Sequence, residues 1–92
     1  MNARRKEEWK KILDSEVERW TAKSIEQLLS ELREVQAYQV TVDSKMYNVE
    51  VELLENKPAY LHVCVGVEDG TFPALMSPLS QTFIRRKAPP PD

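Results

Sequence analysis

Residues 38–67 read YQVTVDSKMYNVEVELLENKPAYLHVCVGV and decide the fold of this chain. Apolar residues occupy every second position in three successive segments, 38–42, 47–53 and 60–67. A period of two residues is that of a β-strand with one buried face, and turn-forming residues separate the three segments. The sequence therefore predicts an antiparallel β-meander.

The same alternation predicts which residues face each other across the sheet. For the apolar side chains to share one face, Val42 should lie opposite Tyr47, and Leu53 opposite Leu61. A slip of one residue would turn a whole apolar set toward water, so the pattern is expected to specify the register strongly. The second face is polar and mildly acidic, and it is expected to face solvent; it carries Gln39, Thr41, Asn48, Glu50, Glu52, His62, Cys64 and Gly66.

The N-terminal third of the chain has helical periodicity in two places. Residues 4–20 carry one apolar stripe, and residues 25–35 carry another. At about 100° per residue the two stripes point roughly 90° or more apart, so one straight helix could not bury both against one sheet. Ser24 and Gln27 have the spacing of a capping box. The sequence predicts two helices with a break near residues 21–23.

The C-terminal part changes character after Val67. Residues 72–79 form an apolar loop with two prolines, and residues 81–85 could add a short fourth strand. The expected fold is α+β, with two N-terminal helices packed on one face of a three- to four-stranded antiparallel meander. Residues 1–87 are expected to form a single domain, and residues 88–92 a disordered proline-rich tail.

Composition places the chain among small soluble proteins. It has 92 residues, of which 41% are hydrophobic and 30% are charged, and it contains no apolar run long enough to span a membrane. The single cysteine and the lack of signal-peptide features predict a cytoplasmic location. Basic residues cluster at both ends, but the net charge is −2, so neither nucleic acid nor a membrane is the expected partner.

One set of polar residues could support chemistry. His62 and Cys64 share a strand face, and the predicted register puts Glu52 beside His62 and Glu50 beside Cys64. A thiol, an imidazole and a carboxylate are the groups of a thiol nucleophile. However, strand neighbours two residues apart are separated by ~6.5 Å, beyond hydrogen-bond reach. One His and one Cys are too few for a zinc site, and no cofactor or metal is expected.

Two apolar surfaces suggest binding instead. The first helix offers a stripe that could form a homodimer contact, comprising Trp9, Leu13, Val17 and Trp20. The apolar loop could complete the core or form a ligand or contact lip through Phe72, Leu75 and Met76.

Three functions therefore stay open. The first is a non-enzymatic binding or assembly module that acts through protein–protein contacts as a homodimer, with a free sheet edge as a second route of association. The second is a small-ligand carrier with a pocket between helices and sheet, gated by the 72–79 loop. The third is a thiol enzyme that uses Cys64, His62 and a glutamate.

Overall fold

The computed structural model describes residues 3–70 and 79–87, and the side chains from residue 7 onward within those ranges. Two helices precede four antiparallel strands in this part of the chain, which confirms the α+β fold. The elements are α1 (Ala3–Thr21), α2 (Ile25–Glu31), β1 (Gln36–Val42), β2 (Lys45–Asn56), β3 (Tyr60–Glu68) and β4 (Leu79–Arg86).

The predicted break between the helices is confirmed. The Ser24 hydroxyl accepts a hydrogen bond from the Gln27 backbone N–H at 3.1 Å, and the Gln27 side-chain oxygen accepts one from the Ser24 N–H at 3.1 Å. This reciprocal capping box stabilises the start of α2. The prediction that α2 continues to residue 35 was wrong, because the helix ends at Glu31. Val35 is 48% exposed, so extension of α2 to this residue is not favoured by burial of its side chain.

The four strands form one sheet in the order β1-β2-β3-β4. The apolar face was predicted correctly, but the register of the first hairpin was wrong by two residues: Val42 lies opposite Lys45, and Val40 opposite Tyr47. The cause is the turn, in which Asp43 and Ser44 both have positive φ, at 49° and 68°. Such a two-residue turn is shorter than the four-residue turn that the predicted pairing required. A shift of two residues keeps every side chain on its face.

The second hairpin differs from its predicted register in the same way. Leu53 lies opposite Val63 rather than Leu61, and a bulge between Leu53 and Glu55 leaves one extra residue in β2. Beyond the bulge Glu55, and not Glu52, lies opposite His62. The sequence marks this bulge only by two adjacent leucines, Leu53 and Leu54, which interrupt the alternation locally.

The fourth strand is longer than predicted. It begins at Leu79 opposite Val67 and ends at Arg86 opposite Tyr60, so it runs along nearly the whole of β3. Phe83 of β4 packs against the buried core. The fourth strand widens the apolar face that the helices can cover.

The core lies between the helices and one face of the sheet. Helix α1 packs mainly on β3 and β4, and the four inward side chains of β3 are fully buried. The buried apolar residues are Trp9, Ile12, Leu13, Trp20, Leu28, Leu32, Tyr47, Val49, Val51, Leu61, Val63, Val65 and Val67. The helices thus occupy one side of the sheet, and the second side faces away from them.

Candidate interaction surface

The side of the sheet that faces away from the helices is called the open face here. Its side chains alternate with the core residues along each strand and are exposed or half-buried. They come from all four strands and comprise Ala37, Gln39, Thr41, Met46, Asn48, Glu50, Glu52, His62, Cys64, Gly66, Glu68, Ser80, Thr82 and Ile84.

A groove of about 580 Å³ runs across the open face. Its lining includes the small residues Ala37, Cys64, Gly66 and Ser80, where short side chains leave a depression in the sheet surface. Glu50 separates Ala37 from Gly66 in the same cross-strand row. The predicted ligand pocket was placed between helices and sheet, but this groove lies on the opposite face.

Polar side chains on the open face are linked to one another. The Gln39 amide donates to the Asn48 side-chain oxygen at 3.2 Å, and the Asn48 amide donates to the Glu68 carboxylate. Glu68 also accepts a hydrogen bond from the Gly70 backbone N–H at 2.5 Å. This chain of bonds connects β1, β2 and β3 to the turn after β3. The Glu68 carboxylate therefore has a structural role in holding this end of the sheet.

Cys64 lies in surroundings that disfavour its thiolate. Cys64 of β3 lies opposite Glu52 of β2, and not opposite Glu50 as the predicted register required. Burial raises the pKa of the Cys64 thiol, and the negative charges of Glu52 and Glu50 raise it further. A thiol nucleophile needs the opposite arrangement, with a lowered pKa beside a cation or a general base.

His62 belongs to a different group of side chains. Its Nδ1 lies 3.4 Å from Glu55 Oε1, and Glu55 Oε2 accepts a hydrogen bond from the Tyr60 hydroxyl at 3.2 Å. The structure thus pairs His62 with Glu55 and Cys64 with Glu52, and it does not bring imidazole, thiol and carboxylate into one group. Within residues 3–70 and 79–87, no cluster of three or more His, Cys, Asp or Glu side chains could hold a metal ion.

The predicted contact stripe of the first helix lies inside the chain. Trp9, Leu13 and Trp20 are 0%, 3% and 4% exposed, and the half-buried Val17 packs against them. A contact between copies through these side chains would require α1 to leave the sheet. The predicted loop residues Phe72, Leu75 and Met76 lie outside the described part of the chain, as does the tail at 88–92.

Sequence reasoning missed a partly buried polar cluster between α1 and β1. The Trp20 indole N–H donates to the Tyr38 hydroxyl at 2.8 Å, and that hydroxyl donates to the Glu16 carboxylate. Arg19 lies 3.7 Å from the same carboxylate. Burial and the hydrogen bond to Glu16 raise the pKa of Tyr38 to about 12. The sequence did indicate this cluster, because the charged residue Glu16 lies between Leu13 and Trp20 within the apolar stripe of α1.

The outer edge of β1 is unpaired in the described part of the chain, where β2 is the strand that pairs with it. Val42 and Lys45 flank a two-residue turn, so they exchange backbone hydrogen bonds, and by alternation Val40 and Tyr38 also point their backbone groups toward β2. The N–H and C=O groups of the exposed residues Ala37, Gln39 and Thr41 therefore point outward. Such a row is a template for pairing with another strand.

No protein-family model, curated protein or solved structure matches this chain. Within the described residues, neither helix combines the length and the apolar character needed to cross a membrane.

Proposed function

We propose that this chain is a small non-enzymatic assembly module that acts through protein–protein contacts as a homodimer. The observation that carries the proposal is the outer edge of β1, which pairs with no strand of residues 3–70 and 79–87. This strand is seven residues long and contains neither a charged residue nor a proline. Natural sheets commonly protect their edges with charges, prolines or bulges. An edge without these features favours strand addition as the mode of contact.

The environment of the reactive side chains supports a binding role over catalysis. The raised pKa of the Cys64 thiol lowers the population of the nucleophilic form. The Nδ1 of His62 is paired with Glu55 and not with the thiol, so this imidazole is not placed to activate Cys64. A thiol enzyme would have to overcome both features.

Sedimentation equilibrium tests the proposal directly. Over a range of about 10 µM to 1 mM the weight-average mass should rise from the monomer mass of 10.7 kDa toward twice that value. A mass that stays at the monomer value up to 1 mM would refute homodimerisation. Circular dichroism over the same range should show unchanged secondary structure, since strand addition uses an edge that already exists.

A small-ligand binder is the second candidate, because the groove on the open face has a volume within the usual range for ligand sites. Glu50 and Glu52 contribute to its lining and favour a ligand with a cationic amine. Spermidine is a suitable probe for amide chemical-shift mapping. Saturable shifts at Gly66 and Ser80 that disappear in Glu50→Gln would support this function, and unsaturated shifts spread over the surface would exclude it.

A further inference from the structure

The outward backbone groups of β1 are arranged symmetrically about Gln39. Ala37 lies two residues before it and Thr41 two residues after it, and each of the three offers one N–H and one C=O to a neighbouring strand. An antiparallel copy of the same strand presents the same groups in the complementary order. The edge is therefore able to pair with itself.

We infer that the homodimer forms by antiparallel pairing of β1 with β1 of a second copy, with the two-fold axis at Gln39. This inference rests on the proposed function and specifies its contact. In this register Gln39 faces Gln39 of the second copy, and Ala37 faces Thr41 of the second copy. The pairing joins two four-stranded sheets into one of eight strands.

Geometry selects this register over its neighbours. Two-fold axes at Tyr38 or Val40 would pair only five residues of each seven-residue strand, whereas the axis at Gln39 pairs all seven. A register with an odd offset would place outward groups opposite inward groups and would reverse the faces of the sheet. The axis at Gln39 is therefore the one that satisfies all three outward residues.

The side chains are compatible with this register on both faces. On the core side, Tyr38 faces Val40 of the second copy, which is an aromatic and β-branched pair of a favourable type. Val40 is half-buried and Val42 is 41% exposed within one chain, so both gain cover from the second copy. On the open face no like charges meet, because residues 36–42 carry no charge.

A second copy fits this edge better than an unrelated strand. Two-fold pairing uses the β1 edges of both copies at once, so the dimer is a closed assembly with respect to this contact. The opposite edge strand, β4, carries Arg85 and Arg86, and charged side chains on an edge strand disfavour strand addition. Of the two edge strands of the described sheet, β1 is the one without a charged residue.

Two double variants test the register. Ala37→Lys with Thr41→Lys places lysine opposite lysine at two positions of the dimer, whereas Ala37→Lys with Thr41→Glu places lysine opposite glutamate at the same positions. Within one chain the two sites are ~13 Å apart on an exposed face, so both variants should fold equally well. At low ionic strength the dissociation constant of the Lys/Lys variant should exceed that of the Lys/Glu variant by about tenfold.

The net charges of the two double variants oppose the expected result, which makes the comparison stringent. Starting from a net charge of −2, the Lys/Lys variant becomes neutral and the Lys/Glu variant keeps −2, so long-range repulsion between copies favours dimers of the Lys/Lys variant. A weaker Lys/Lys dimer must therefore arise from local cross-strand repulsion. Equal dissociation constants, or a tighter Lys/Lys dimer, would overturn the inferred register.

A proline at the axis tests the use of the edge itself. Gln39→Pro removes an outward N–H without removing a bond to β2, and its control, Gln39→Ala, removes only the side-chain bond to Asn48. By sedimentation equilibrium, Gln39→Pro should be monomeric at 1 mM and Gln39→Ala dimeric. If circular dichroism shows that Gln39→Pro does not fold, the comparison of the two double variants still tests the inferred β1 contact.

The outcomes separate this inference from the proposed function. A wild type that remains monomeric overturns both. A dimeric wild type whose association is unchanged by Gln39→Pro and by both double variants overturns the β1 contact and leaves homodimerisation through another surface.

Discussion

Tyr38→Phe should destabilise the folded chain by about 2 kcal/mol at neutral pH. The substitution removes the hydrogen bond that the Tyr38 hydroxyl donates to the Glu16 carboxylate, and bonds to charged groups contribute about 1.5–3 kcal/mol. It also takes away the acceptor of the Trp20 indole N–H. Tyr38 is only half-buried, so water can replace part of both bonds, and the lower part of the range is expected.

The pH dependence provides an independent check. The pKa of Tyr38 is raised to about 12 in the folded chain, from a usual value near 10, so folding favours the protonated hydroxyl. Its contribution to stability is complete below pH 10 and is lost as the pH rises toward 12. The difference in unfolding free energy between wild type and Tyr38→Phe should therefore be constant from pH 7 to 9 and should narrow above pH 10.

Urea denaturation followed by tryptophan fluorescence measures both effects, since Trp9 and Trp20 are buried in the core. Tyr60→Phe is the matched control, because Tyr60 also donates to a glutamate, Glu55, but on the side of the sheet away from α1. It should change stability much less than Tyr38→Phe. Equal effects of the two variants, or a difference that widens above pH 10, would refute the role assigned to the cluster.

Four further predictions concern single positions. Trp9→Ala should cost about 3–5 kcal/mol in thermal or urea unfolding, because the side chain is fully buried; a loss below 1 kcal/mol would exclude a core position. Ser24→Ala should cost about 1 kcal/mol through loss of the helix cap, and unchanged stability would indicate a continuous helix. Ser44→Gly should stabilise by ~0.5 kcal/mol or more, because Ser44 has φ of 68°, and a lower melting temperature would contradict this turn geometry. Cys64 should react with iodoacetamide more slowly than a free thiol at pH 7–8, and Glu52→Gln should accelerate it; rapid reaction at pH 6 would revive the enzyme hypothesis.

The alternation of residues 38–67 was sufficient to predict the strands and their two faces, because a period of two has one solution when one face is buried. It could not predict the register, since shifts of two residues leave the faces unchanged. Register depended on the backbone of Asp43 and Ser44, and neither residue is the glycine that would have indicated a two-residue turn. The second hairpin had a register error of its own, which placed Glu52 beside His62 instead of beside Cys64.

The position of the α1 stripe could not be predicted from the sequence for a different reason. Whether Trp9, Leu13 and Trp20 are covered depends on how much apolar sheet surface is available. A fourth strand that runs from Leu79 to Arg86 supplies more of it than the predicted five-residue strand. How much of the α1 stripe is buried therefore depends on the assembled sheet and not on the helix.

The placement of charge along the chain is informative about the role of β1. Charged residues make up 30% of the sequence, and the other strands carry them: β2 contains Lys45, Glu50, Glu52 and Glu55, and β4 contains Arg85 and Arg86. Strand β1 contains none, although it lies at an edge, where a lysine would prevent unwanted pairing at little cost. A monomer gains nothing from a neutral edge and risks aggregation. In a two-fold dimer the neutral strand is compatible with self-pairing, because no like charges at residues 36–42 meet across the axis. The distribution of charge and the symmetry of the backbone groups thus favour the same contact.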